Sequence, residues 1–145
     1  MIEKKLLQII DANLNRLREG LRVCEDIARF SLENKSVTKS LKTIRHGATD
    51  LVLKSKKISF SNLLSERDTA KDKTKFIDFT PGRKIEIPDI FMSNIERVKE
   101  SLRVLEECFK IIDEKISQGY RKLRFDAYDA EKRIVKKTGL ISCNR

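Results

Sequence analysis

Residues 13–25 and 94–106 carry one pattern twice, and this duplication restricts the possible fold more than any other feature of the chain. Asn13-Leu14-Asn15-Arg16-Leu17 lies over Asn94-Ile95-Glu96-Arg97-Val98, and the same register sets Glu19-Gly20-Leu21-Arg22-Val23 over Glu100-Ser101-Leu102-Arg103-Val104. With Glu25 over Glu106, seven of thirteen ungapped positions are identical, more than shared helical periodicity alone produces. The second segments also match after a two-residue slip: Leu41-Lys42-Thr43-Ile44-Arg45 falls on Tyr120-Arg121-Lys122-Leu123-Arg124. Each unit therefore reads as a long helix, a short connection and a second helix.

The apolar residues have helical spacing. Leu6, Ile10, Leu14, Leu17, Leu21, Cys24 and Ala28 advance by alternating steps of four and three, which makes one stripe along a helix. Val37, Leu41, Ile44, Ala48 and Leu51 form the second stripe, and Ile95, Val98, Leu102, Leu105 and Phe109 the third. The fourth runs from about Lys115 through Ile116, Tyr120, Leu123, Ala127 and Ile134, with Gly139 as a natural stop. Short links favour antiparallel neighbours, so the expected fold class is all-α, a four-helix bundle made from a duplicated helical hairpin. Five glycines and two prolines in 145 residues leave too few breakers for a sandwich or barrel.

The organisation expected is one domain over 1–145, with repeat one at about 1–56, a connecting segment at about 57–88, repeat two at about 89–139 and a short tail at 140–145. The connection breaks the helical pattern. Its alternating Phe76-Ile77-Asp78-Phe79 and Lys84-Ile85-Glu86-Ile87 flank Pro81-Gly82, the outline of a small β-hairpin, and Asp89 is placed to cap the third helix.

A net charge of +10 favours phosphate-bearing partners without choosing among them. Nucleic acid is the weaker option, because the basic residues are interleaved with acidic ones and tryptophan is absent. Cys24, Cys108 and Cys143 have no metal-ligand spacing and no secretory leader precedes them, so a reducing cytoplasm is the expected location. No apolar run approaches the roughly 20 residues needed to cross a bilayer, so no membrane association is expected.

Phosphoryl transfer needs cations for phosphate oxygens and carboxylates or phosphates for magnesium. The chain has no Walker loop, so side chains and helix ends must hold a nucleotide. Asn13, Arg16 and Gly20, with Asn94, Arg97 and Ser101, flank the apolar stripe. Gly20 either admits a ligand or lets two helices pack closely, since a glycine inside a helix costs about 1 kcal/mol against alanine. Arg22, Glu25 and Asp26, repeated as Arg103, Glu106 and Glu107, have the spacing of helix ion pairs and form either a solvated salt-bridge face or a magnesium site. Arg67-Asp68-Thr69, with Asp72 three residues on, gathers one cation, two carboxylates and a hydroxyl in the non-helical segment. His46, the single histidine, reads as a surface or partly buried residue rather than a catalytic base.

Together these blocks resemble the second, all-helical type of hydroxymethylpyrimidine phosphate kinase of thiamine biosynthesis, which also occurs fused to the amino end of thiamine phosphate synthase. The resemblance rests on Ile9 through Arg16, Arg18 through Val23, Glu25 through Phe30, Leu41 through His46, Arg67-Asp68-Thr69 and Ser101 through Glu107. It implies an enzyme that uses ATP and magnesium to convert 4-amino-5-hydroxymethyl-2-methylpyrimidine phosphate to its diphosphate. The division of roles is our own assignment. Arg67, Asp68 and Asp72 are placed at the reacting groups, and Glu25, Asp26 and Asp68 at magnesium. Asn13, Arg16, Glu19, Gly20, Arg22, Thr69, Asn94 and Arg97 are placed around the substrate. The chain departs from the family after Thr69, where Lys71, Lys73 and Thr74 replace glycine-rich neighbours of Asp72. The alternative function is a non-catalytic partner or regulatory module of thiamine phosphate synthase, and a homo-oligomer is also compatible with the sequence. Synthase activity in this chain is not expected, because that enzyme resembles a barrel of alternating strands and helices.

Overall fold

A computed structural model describes residues 2–72 and 84–138. Helix α1 spans Lys4–Asp26 and continues into a π-helical turn at Ile27–Ser31; α2 spans Lys35–Lys54, α3 Phe60–Ser65, α4 Ile87–Ile112 and α5 Glu114–Thr138. A 3-10 turn, Thr69–Lys71, follows α3, and the described residues contain no strand. The all-α class and the four long helices are as the repeat requires.

The apolar stripes meet in one core. Ile10, Leu17, Leu21, Leu41, Ile95, Leu102, Leu105 and Phe109 are fully enclosed, as is Tyr120, whose hydroxyl donates to the Ala48 carbonyl at 2.8 Å. That bond ties α5 of the second repeat to α2 of the first and satisfies a polar atom that burial would otherwise penalise. Leu6 and Leu51 pack only at the margin, and their neighbours Leu7 and Val52 take the buried positions. The most extensive contact joins α1 to α4, running antiparallel: Gly20 lies beside Asn94 and Val98, and Cys24 lies beside Phe91.

Helix ends follow local chemistry. Asn34 caps α2 by accepting the Val37 N–H at 3.0 Å, while Glu33 takes the left-handed conformation, φ 49°, that turns the chain. Helix α4 begins earlier than Asp89. Glu86 is its N-cap, Pro88 sits inside the first turn, and Asp89 is the third helical residue, accepting the Glu86 N–H at 3.0 Å. Ile87 is therefore helical, and Lys84–Glu86 form no strand. The proline presets φ for a helix and Asp89 satisfies an amide at its start, which overrides the short alternation in sequence. The other arm of the expected hairpin, Pro81-Gly82, Gly139 and Cys143 lie outside the described residues. No helix among the described residues is long and apolar enough to cross a membrane.

Candidate functional site

The feature that organises the surface of α1 is a carboxylate missing from the sequence-based set. Asp11 follows Leu7 by one turn, lies at the margin of the buried stripe and is almost fully covered. Its two oxygens accept Arg67 Nε and Nη2, each at 2.7 Å. This is a two-bond fork, the geometry in which arginine and carboxylate bind most strongly. Asn15, one turn on, donates to the Asp11 carbonyl at 3.0 Å and to its carboxylate at 3.3 Å. Gln8 adds a second tie by donating to the Glu66 carbonyl at 2.8 Å. Leu63, buried beneath α3, anchors the same segment hydrophobically. The connecting chain is thus strapped across the amino-terminal half of α1.

Between strap and helix lies a cleft of about 780 Å³, lined by Lys4, Lys5, Gln8, Asp11, Ala12, Asn15 and Glu19 from α1, and by Arg67, Asp68, Thr69, Lys71 and Asp72 from the connection. Of the residues singled out in the sequence, Arg67, Asp68, Thr69, Asp72 and Glu19 all line this cleft. Asp68 accepts the Lys71 N–H at 3.3 Å and lies 3.5 Å from its ammonium, which holds the short turn in shape. The hydrogen bonds and charge of Asp11 push the Arg67 guanidinium further above its ordinary range, so it is cationic at any working pH.

The other candidates go elsewhere. No α4 or α5 residue lines the cleft, so Asn94 and Arg97, placed around the substrate from the sequence, stand apart from it. Asn13 donates to the Ile9 carbonyl at 2.9 Å and Asn94 to the Ile90 carbonyl at 2.8 Å, each spending its amide on its own helix. Gly20 is a packing residue: a Cβ there would meet Val98 Cγ2 at 3.1 Å and the Asn94 carbonyl at 3.3 Å. Arg16 and Arg97 are exposed, as are Arg22 and Asp26.

Glu25 is buried rather than solvated. It receives Arg45 Nε at 2.7 Å and Nη2 at 3.1 Å from α2. Its repeat mate Glu106 receives Arg124 Nη2 at 3.1 Å from α5. Arg45 and Arg124 are themselves equivalent in the duplication, so one buried cross-helix ion pair is built twice. Glu25, Asp26 and Asp68 do not come together, and among the described residues no group of three or more metal-ligating side chains is assembled. His46 is exposed on α2. Both described cysteines are buried and free; burial, aided by the Glu25 charge, pushes the Cys24 thiol up to about 12.

A model of the ThiD2 family matches residues 8–133. The chain belongs to that family. Its curated relatives include thiamine-phosphate synthases from Prochlorococcus marinus, 34% identical over 95% of this chain, and from Synechocystis sp., 32% identical over 90%. A third, from Rhodopirellula baltica, is 31% identical over 98% of this chain. The matched region is only 38%, 36% and 38% of those relatives, so this ThiD2 chain spans little more than a third of their length. Their names tie the family to thiamine biosynthesis. No solved structure matches the chain.

The ThiD2 match begins at Gln8 and so takes in the clasp residues Gln8, Asp11 and Asn15 together with Arg67. A signal for Asp11 was present in the sequence. At positions 8, 11 and 15 the second repeat carries Asp89, Met92 and Glu96, so none of the three clasp residues is shared by both copies.

Proposed function

We propose that this ThiD2 protein is a kinase of thiamine biosynthesis that transfers the terminal phosphate of ATP to 4-amino-5-hydroxymethyl-2-methylpyrimidine phosphate. The observation that carries the reading is the α1 cleft, where the Asp11–Arg67 fork sets Arg67, Asp68, Thr69 and Asp72 opposite Lys4, Lys5 and Glu19. Its volume lies within the roughly 300–1,000 Å³ of small-molecule sites.

The chemistry asks little of a protein base. An oxygen of the acceptor monophosphate is already anionic, so it attacks the γ-phosphorus directly. The new P–O bond forms as the bond from that phosphorus to the β,γ-bridging oxygen breaks, and ADP leaves with the electron pair. The barrier is the approach of two anions, so catalysis consists of positioning and charge compensation. Lys4, Lys5, Lys71 and the free edge of Arg67 supply cationic donors. Arg16 lies outside the lining but one turn from the cleft residues Ala12 and Glu19, where its charge adds attraction for an anion at the end of the cleft.

The lining carries four basic and four acidic side chains, a balance suited to a phosphate ligand accompanied by a divalent cation. Magnesium commonly takes one or two carboxylates and completes its shell with phosphate oxygens and water. Asp68 lines the cleft and would hold the ion on exchanging its contacts with Lys71, whereas Glu25 lies outside the lining with both oxygens on Arg45. When bound, the ion neutralises charge on the β- and γ-phosphates.

The test is direct: purified protein, ATP, magnesium and the pyrimidine monophosphate, with the diphosphate followed by chromatography. Formation over many turnovers is expected; none above the protein-free rate would refute the reading. A second reading, a module that binds thiamine-phosphate synthase without turnover, draws support from the 36–38% of each relative that this chain matches. Complex formation with the synthase in the absence of diphosphate production would favour it.

A further inference from the structure

The Asp11–Arg67 fork does more than fasten the connection. Arg67 has five N–H donors, and its Nε and one Nη2 hydrogen are used by Asp11, leaving Nη1 with no partner among the described residues. The side chain remains 40% exposed on the cleft wall, beside Lys4, Lys5 and Lys71. Asp11, by contrast, is held from behind: Asn15 donates to its carboxylate and its carbonyl, and the residue sits on a rigid helix. A planar guanidinium gripped along one edge by a fixed carboxylate has its other edge fixed as well.

We propose that Asp11 is a positioning residue that presents the Nη1 edge of Arg67 as a preset donor for a phosphate oxygen of the substrate. The inference rests on the phosphoryl-transfer reading of the cleft. It gives the two kinds of cation separate duties. Asp11 cancels the formal charge of Arg67, so long-range attraction falls to Lys4, Lys5 and Lys71, while Arg67 supplies direction. Preset donors need no reorganisation when charge shifts during transfer. The same logic explains an almost buried acid in a wall that binds anions: its charge is spent on holding a donor, and Asn15 keeps it from turning toward the ligand.

A double-mutant cycle separates positioning from simple structural support. The proteins are wild type, Asp11→Asn, Arg67→Ala and the double variant, compared by kcat/KM for diphosphate formation and by calorimetric Kd for inorganic pyrophosphate. In Asp11→Asn the amide oxygen can keep one Arg67 N–H, but the NH2 then faces the other, so the two-bond fork is lost. Each single change is expected to lower both quantities about tenfold, and adding Asp11→Asn to Arg67→Ala is expected to cost no more than about twofold further. Asp11→Glu keeps the carboxylate and should recover part of the loss; if Asp11→Asn fails to fold, Asp11→Glu with and without Arg67→Ala completes the cycle. Losses that multiply would overturn the proposal while leaving the kinase reading intact. Coupled pyrophosphate binding without diphosphate formation would sustain the clasp and refute the kinase. Wild-type protein that neither binds pyrophosphate nor turns over would refute both.

Discussion

The two repeats share a backbone plan but spend their polar residues differently. In repeat one Glu25 takes a two-bond grip on Arg45; in repeat two Glu106 keeps a single bond to Arg124, whose buried Nε has no hydrogen-bond partner. What both copies retain is a carboxylate–guanidinium pair joining the helices of each hairpin, and retention in both marks it as part of the fold. What only one copy carries is Asp11, which faces Arg67, where the second copy has Met92. Repeat two has its own private feature: buried Lys99 bonds Glu96 at 2.6 Å and Glu131 at 2.8 Å, in place of Arg18 in repeat one. Burial lowers the Lys99 pKa, but the bonds to Glu131 and Glu96 outweigh it and the net shift is upward. Duplication supplied a scaffold twice, and divergence placed a cleft on one side and a closed polar cluster on the other.

The largest effect is expected from breaking the shared pair. Glu25→Ala leaves Arg45, only 13% exposed, without a counter-charge and should lose about 3–5 kcal/mol by urea unfolding. Glu106→Ala should lose less, about 2 kcal/mol, because one bond rather than two is removed and Arg124 already leaves Nε unpaired. Equal losses would contradict the claim that the first copy is the tighter one.

The α1–α4 crossing comes next. At Gly20 an added Cβ gains helix propensity of about 1 kcal/mol but meets a backbone carbonyl at 3.3 Å that cannot swing aside. Gly20→Val therefore should destabilise by about 1–3 kcal/mol, as overpacking generally does. The equivalent residue in repeat two is already a side chain, the buried Ser101, and trimming it to alanine removes one hydroxyl without adding bulk, so stability should change by less than about 1 kcal/mol. Thermal unfolding of the two variants would show whether the crossing is as asymmetric as its residues.

How much of this the sequence disclosed depends on the range of the interaction. Ile10, Leu14, Leu17 and Leu21 announce their burial through their own spacing, which is local information, and the repeat extends it to Ile95, Val98 and Leu102. Glu25 follows the buried Leu21 by four residues, so its angular position encodes its burial, but its acidic character points instead to a solvated face or a magnesium site. The Asp11–Arg67 fork joins residues 56 apart, one on a helix and one on irregular chain, and no periodicity encodes such a pairing. Arg67, Asp68, Thr69 and Asp72 were visible as a compact polar set, but the helix they close upon was not. The expected hairpin arm at 84–87 failed at Ile87 because the helix-start signals Pro88 and Asp89 outweighed a four-residue alternation.

A smaller contrast concerns the thiols. Cys24 is raised from 9.0 to about 12, chiefly by burial, so it stays protonated in the fold at pH values where the unfolded chain releases its proton. Its contribution is complete below about pH 9 and is lost as pH rises toward 12, at roughly 1.4 kcal/mol per pH unit. At pH 10 the loss should be about 1.4 kcal/mol. Cys24→Ala should remove that part of the alkaline decline, and Cys108→Ala in repeat two should also flatten it, since burial raises that thiol too. An unchanged slope in Cys24→Ala would mean that Cys24 does not stay shielded.

The finest test compares Arg16 with Arg97, the same repeat position in the two halves. Both are exposed, so neither substitution by alanine should move stability beyond about 0.5 kcal/mol. Their surroundings differ: Arg16 stands one turn from Ala12 and Glu19 in the cleft wall, whereas α4 contributes nothing to that wall. A cation at the edge of an anion site adds modest attraction that salt screens, so Arg16→Ala should lower kcat/KM about fivefold, with most of the loss gone in high salt. Arg97→Ala should stay within about twofold of wild type. Equal losses from the two arginines would mean that a ligand does bridge the repeat axis, and the one-sided cleft would then be only part of the site.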